Sequence, residues 1–228
     1  SEVETVIANF ISAAVRSQRA GFDGVELHGA HGYLICQFLS SELNQRTDQY
    51  GGSLENRARV LMSIVDGVRE SCGPDFILAV RLSPERFGMR TAEIQQLFGW
   101  LVTSNKVDLI DMSLWDVFGD CADPDFAGKK LLDQFVSLER GNVMLTVAGK
   151  IHTPADVQRV LDAGVDIVTL GRAAILHHDY PQKMQADAGF SPRTLPVTEE
   201  VLSQEGLSPA FIGYMKNWKG FVVEVNAS

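Results

Sequence analysis

Val3, Val6, Ile7, Phe10, Ile11, Ala14 and Val15 recur at intervals of three and four, the spacing that lines one face of a helix. Glu2 and Glu4 stand at the front of that segment and Arg16 and Arg19 at its end, which suits the helix dipole, and Gly21 is a natural stop. The period then changes. The stretch FDGVELHG, starting at Phe22, is short and apolar and reads as a buried strand. The same pair of signals returns four times. Ser53 caps a helix running to about Ser71 and stopping near Gly73, and FILAVRLS follows as a strand. Thr91 is the expected cap of a helix over Ile94, Leu97, Phe98 and Leu101, ahead of VDLIDMS. A shorter helix over Leu131–Leu138 precedes VMLTVAG. Thr153 caps a helix with Pro154 in its first position and Gly164 past its end, ahead of DIVTLGR. The expected strands cover residues 23–28, 76–81, 107–113, 143–148 and 166–170.

Apolar strands alternating with amphipathic helices imply a parallel sheet joined by right-handed helical crossovers. The first strand is followed by a polar, glycine-rich loop from Gly29 to Gly52, too long for a mere connector. After Pro181 the rhythm stops, and Pro192, Pro196 and Pro209 punctuate a tail with a final helical stretch around Phe211–Trp218. A (β/α)8 barrel takes about 250 residues and eight strands. A chain that opens on a helix and holds five strands is therefore expected to be the later part of such a barrel, units four to eight. Residues 1–180 form the barrel portion and 181–228 the tail. A smaller open sheet is the alternative.

Composition narrows the function classes. With 228 residues, 45% of them hydrophobic, there is ample chain for a core. The net charge of −9 and the lack of basic runs speak against a nucleic-acid surface. No eighteen-residue apolar stretch or signal-like start is present, so no membrane association is expected. Cys36, Cys72 and Cys121 form no C-x-x-C pair, which suits reduced thiols in a cytoplasmic protein better than disulfides or a metal cluster.

The candidate chemistry gathers at strand ends: His28 and His31, Arg81, Ser113, Gly149 with Lys150, and Gly171 with Arg172. In a β/α barrel these positions share the catalytic rim. The segments TVAGK and TLGRAAI each end a strand in glycine, where backbone amides can approach a phosphate and Arg172 can add a fork of donors. His28 and His31 suit a metal in principle, yet no compact set of Cys or Asp completes one. Two imidazole N–H donors aimed at one substrate oxygen are the better chemistry, in the manner of an oxyanion hole. Tyr33 then stands ready to deliver a proton to carbon.

The forty-residue block FDGVELHGAHGYLICQFLSSELNQRTDQYGGSLENRARVL resembles the signature of the old yellow enzyme family, the flavin-dependent ene-reductases. The likeness continues through VRLSPE, VDLIDMS, VAGKI, LGRAAI and LSPAFIGYMKNWKGF. It implies an eight-stranded barrel holding FMN at its rim. NADH or NADPH reduces that flavin, which passes hydride to an α,β-unsaturated carbonyl compound. By the same resemblance His28 and His31 hold the substrate oxygen and Tyr33 donates the proton, while Arg81 lies beside the flavin's N1 edge. Gly149, Gly171 and Arg172 match the FMN phosphate site, and Ser113 a position near the cofactor. The family's first three strands, with a flavin-contacting loop and a glutamine, have no counterpart here, and neither have the cluster cysteines of its dienoyl-CoA reductase branch. The alternatives are a barrel enzyme acting on a phosphorylated metabolite and a non-catalytic truncated module. Open sheet edges and an uncovered apolar interior predict that this chain by itself self-associates or pairs with another chain, carries little or no FMN and shows no ene-reductase turnover.

Overall fold

The five expected strands form one sheet. In the computed structural model, which describes residues 1–223, they are β1 (Gly24–Gly29), β2 (Ile77–Leu82), β3 (Leu109–Ser113), β4 (Met144–Ala148) and β5 (Ile167–Thr169). The last five residues of the expected 181–228 tail lie outside the described residues. The strand order is β1-β2-β3-β4-β5, with every neighbouring pair parallel. Strands that follow one another in space as in sequence wind in one direction only, as in a barrel, and show none of the order reversal of a doubly wound sheet.

Helix α1 (Glu2–Arg19) precedes the sheet, and between the strands run α2 (Leu34–Leu39), α3 (Leu54–Cys72), α4 (Thr91–Thr103), α5 (Asp133–Val136) and α6 (Pro154–Asp162). They are followed by α7 (Arg172–Leu176), α8 (Tyr180–Ala186), α9 (Glu199–Gln204) and α10 (Pro209–Met215). Ser53 and Thr153 cap α3 and α6 as expected. Thr91 does not cap α4. It is the helix's first residue, and its N–H instead donates to the Asp123 carboxylate at 2.8 Å, so the capping oxygen comes from a distant loop. The helix expected over Leu131–Leu138 is one turn, and the last helix ends at Met215, short of Trp218.

Side chains alternate across the sheet. Leu78, Val80, Leu82, Ile110, Met112, Leu145 and Val147 face the helices and are fully buried. The opposite face keeps Ile77, Met144 and Ile167 between 41% and 47% exposed, so its lower part is apolar and uncovered in this chain. Gly24 lets β1 approach β2 closely: a Cβ there would lie 2.4 Å from the Ile77 carbonyl oxygen.

The long loop after β1 is more ordered than its composition suggests, since it contains α2 and is clamped by a buried cation. Arg57 of α3 donates from Nε to the Gly52 carbonyl at 3.0 Å and from Nη1 to the Leu39 carbonyl, and it pairs with Glu93 of α4 at 2.6 Å. Asn44 closes the same loop, donating to the carbonyls of Phe38 and Tyr50. The tail builds a second apolar cluster from Leu176, Val197, Leu202, Ile212, Met215, Phe221 and Val222. Glu205 anchors it, accepting from the backbone and ring of His178 and pairing with Arg193. Burial works against that carboxyl's ionisation, but these donors outweigh it and hold the carboxyl down at about 2.

Arg57 thus ties the segment carrying His31 and Tyr33 to two helices. Replacing it by leucine strands two carbonyls and a carboxylate, which should cost about 3 kcal/mol of stability. Urea unfolding of the variant checks this. The denaturation midpoint should fall, with the loop after β1 losing amide protection before the strands do.

Candidate active site

The parallel register sets a row of polar side chains across the sheet. His28 pairs with Arg81, Arg81 with Asp111, and Asp111 with Thr146, all on the face opposite the helices. Thr146 continues the row through a 2.9 Å hydrogen bond to Thr169 of β5. His28 and Arg81 are the penultimate residues of their strands and Ser113 is the last of β3, so they stand within the strand ends and not beyond them.

Past β1 the chain turns sharply, with His31 at φ 60° and Gly32 at φ 75°. The backbone N–H of His31 donates to the buried Ser83 hydroxyl, and its Nε2 lies 2.6 Å from the Ser113 hydroxyl. The His28 ring is 5.1 Å from that of His31 and 5.2 Å from that of Tyr33, which is 63% exposed. A left-handed backbone at a histidine is uncommon and costs about 1–3 kcal/mol where the surroundings impose it. Arg86, Phe87, Trp115 and Lys150 share this conformation, all in loops that follow strands.

Arg81 governs the electrostatics. Burial, and then the Arg81 charge, lower the pKa of both His28 and His31, with His28 adding to the effect on His31. The two rings are accordingly neutral at neutral pH, each with one N–H to give. The His31–Ser113 bond engages Nε2 of the ring whichever of the two atoms donates, since the roles depend on the ring's tautomer. Asp111 lies 3.0 Å from the Arg81 Nε, and burial, opposed by Arg81 and reinforced by Glu26, pushes its carboxyl up to about 6.

His31 and Ser113 also line a cleft of about 500 Å³ that continues to Gly149, Gly171 and Arg172, within the range of small-molecule sites. His28, Tyr33 and Arg81 do not line that cleft, but they stand at or just past the same C-terminal strand ends. Gly149 is at φ 154°, and a Cβ there would meet the backbone of Trp115–Val117 at about 3.0 Å. A Cβ on Gly171 would meet nothing within 4 Å, which leaves open space for a ligand. Arg172 is exposed and makes no ion pair among the described residues, whereas Lys150 is paired with Asp116 at 2.8 Å. Sequence reasoning missed two walls of the cleft, Trp115 and Trp218. Trp115 follows the end of β3 by two residues, a signal that was available. Trp218 arrives from the tail, and only the tail's packing brings it there.

Residues 1–189 match the NADH:flavin oxidoreductase / NADH oxidase family. The chain belongs to that family. Its relatives include the probable NADH-dependent flavin oxidoreductase YqiG of Bacillus subtilis, 36% identical over 194 residues, covering 81% of this chain and 51% of that protein. The NADH oxidase of Thermoanaerobacter brockii is 32% identical over 191 residues, covering 80% of this chain and 29% of that protein. Among solved structures, morphinone reductase in complex with tetrahydroNAD superposes with a TM-score of 0.69 at 31% identity, over 88% of this chain and 52% of that one. The old yellow enzyme resemblance and the barrel fold are borne out, with this chain spanning about half the length of these relatives or less. FMN with a nicotinamide reductant is the cofactor pair the family supports. No helix among the described residues is long and apolar enough to cross a membrane.

If Arg81 depresses both histidines, Arg81→Gln should raise the pKa of His28 and His31 toward 6.5 without reaching it, because burial remains. Imidazole NMR titration of the two chains reads the shift directly. Unchanged titrations would remove Arg81 from the electrostatics of the pair.

Proposed function

We propose that this chain carries the FMN and substrate-activating residues of an NAD(P)H oxidoreductase that reduces the carbon–carbon double bond of α,β-unsaturated carbonyl compounds. One observation carries the reading. His31 belongs both to the His28–His31–Tyr33 cluster and to the cleft that runs to Arg172, so the oxygen clamp and the phosphate end share one rim.

The residues present fit FMN. Gly171 leaves open space beside the exposed Arg172, which suits a phosphate, and Arg81, outside the cleft's lining, offers a cation in the polar row at the same strand ends. Bound FMN supplies a carrier that takes hydride from NADH or NADPH and gives it to an acceptor. Neutral His28 and His31 donate to the substrate's carbonyl oxygen, where negative charge grows as hydride adds to the far alkene carbon. Tyr33 then delivers its phenolic proton to the carbon next to the carbonyl, and its exposure lets solvent replace that proton. Ser113 holds the His31 ring in place.

In a complete, FMN-loaded barrel that contains this chain, His28→Ala should weaken binding of a phenol, an anionic mimic of the held oxygen, by one donor's worth, about 1–3 kcal/mol. Tyr33→Phe should slow enone reduction and leave flavin reduction by NADH at its original rate. Stopped-flow measurement of the two half-reactions tests both, and equal slowing of both halves by Tyr33→Phe would remove the proton-donor role.

The exposed Ile77, Met144 and Ile167 and the unpaired outer edges of β1 and β5 favour association of this chain with itself. Sedimentation of the 228-residue chain should therefore give a mass above the monomer. By itself it should hold FMN only weakly and show no turnover, since one face of the sheet and its two edge strands are uncovered among the described residues. A monodisperse, tightly loaded, active monomer would overturn this expectation.

A further inference from the structure

The polar row contains one charged group that the proposed chemistry does not use. Asp111 sits in the middle of β3, 2% exposed, on the face that carries His28 and Arg81. Its Oδ2 lies 3.0 Å from the Arg81 Nε, but the two are not aligned for a hydrogen bond. Both the Arg81 Nε and the Asp111 Oδ1 are buried atoms with no hydrogen-bond partner among the described residues. A carboxylate left like this is expensive, and a buried pair with such incomplete bonding gains little stability over apolar side chains. The pairing makes more sense as a device that acts on Arg81 than as a brace for the sheet.

We propose that Asp111 is the positioning residue of Arg81: it fixes the guanidinium at the rim and, by its own charge, sets how strongly Arg81 prefers reduced, anionic FMN to oxidised FMN. This rests on the FMN reading above. Arg81 is the full positive charge within the polar row. When Asp111 is ionised, the pair is neutral overall and a negative charge developing on a ligand gains little. When Asp111 is protonated, Arg81 acts uncompensated. The charged and titratable groups on this face are few. Arg81 faces Asp111 from β2 and Glu26 acts on it from β1, while β4 opposes it with the uncharged Thr146. His28 is the register partner of Arg81, and His31 bonds to Ser113, two residues along from Asp111. Burial, with Glu26, holds the Asp111 carboxyl up at about 6 despite Arg81, so its charge changes close to neutral pH.

The test is to measure the dissociation constants of oxidised FMN and, anaerobically, of reduced FMN for the 228-residue chain between pH 5 and 8. Their ratio needs only measurable affinity, not tight loading. In the wild-type chain the preference for reduced FMN should weaken on the order of tenfold as pH rises through about 6, the effect of one unit charge acting over roughly 12 Å at an effective dielectric near 20. Asp111→Asn should keep the strong preference above pH 6 and lose the Asp111 step, leaving only the pH dependence of the reduced flavin's own N1 proton. Glu26→Gln, at an exposed position that folding tolerates, should move the step to lower pH, because Glu26 helps to raise the Asp111 carboxyl. If the step persists unchanged in Asp111→Asn, or fails to move in Glu26→Gln, Asp111 does not set the charge at Arg81. A wild-type chain that binds oxidised FMN with no step overturns this inference alone. One that binds neither form up to millimolar FMN overturns the FMN reading and this inference together.

Discussion

Parallel in-register pairing of β1, β2, β3 and β4 is the constraint on which the rest of the site depends. A parallel sheet brings all its C-terminal strand ends to one edge, and the register then decides which side chains stand side by side. Here it aligns His28, Arg81, Asp111 and Thr146 as direct neighbours. A slip of one residue in any strand would turn that strand's polar member toward the helices and expose an apolar one in its place. The fully buried set on the helix face, from Leu78 to Val147, makes such a slip costly. The apolar core therefore enforces the alignment of the polar row.

On that row a single cation, Arg81, lies between His28 and Asp111. Arg81 depresses the two histidines and works against the raised pKa values of Glu26 and Asp111. Neutral histidines are what an oxygen clamp needs, since each can donate a proton without carrying a charge of its own. The same cation is what an electron-rich flavin edge needs, so one residue serves both halves of the proposed chemistry. The loops supply the remaining precision. His31 is held in a left-handed turn by Ser83 and Ser113, and the segment beyond it is held by the buried Arg57.

Much of this was legible before the fold was known. Helical spacing and caps located α1, α3 and α6, and apolar runs located the five strands to within about two residues. The polar residues at strand ends named the rim, because a β/α unit leaves its ends to loops and its middle to the core. Other features stayed hidden for a physical reason. The polar stretch from Gly29 to Gly52 contains α2, a short helix whose stability comes from the core under Ile35, Cys36 and Leu39 and from Arg57, contacts remote in sequence. Thr91 has a capping side chain, but a distant aspartate offers the better acceptor.

The sequence by itself determined the element order, the parallel sheet and the residues at the strand ends, which local periodicity and spacing encode, and its forty-residue block carried the likeness to a known family. Only the tertiary structure decided that Trp218 of the tail closes the cleft, that Ser113 bonds to His31, and that Asp111 lies against Arg81 with an oxygen unpaired. Each of these joins residues at least thirty positions apart. Which partners meet at such separations is set by strand register and by how the tail packs, and neither is written in any local pattern.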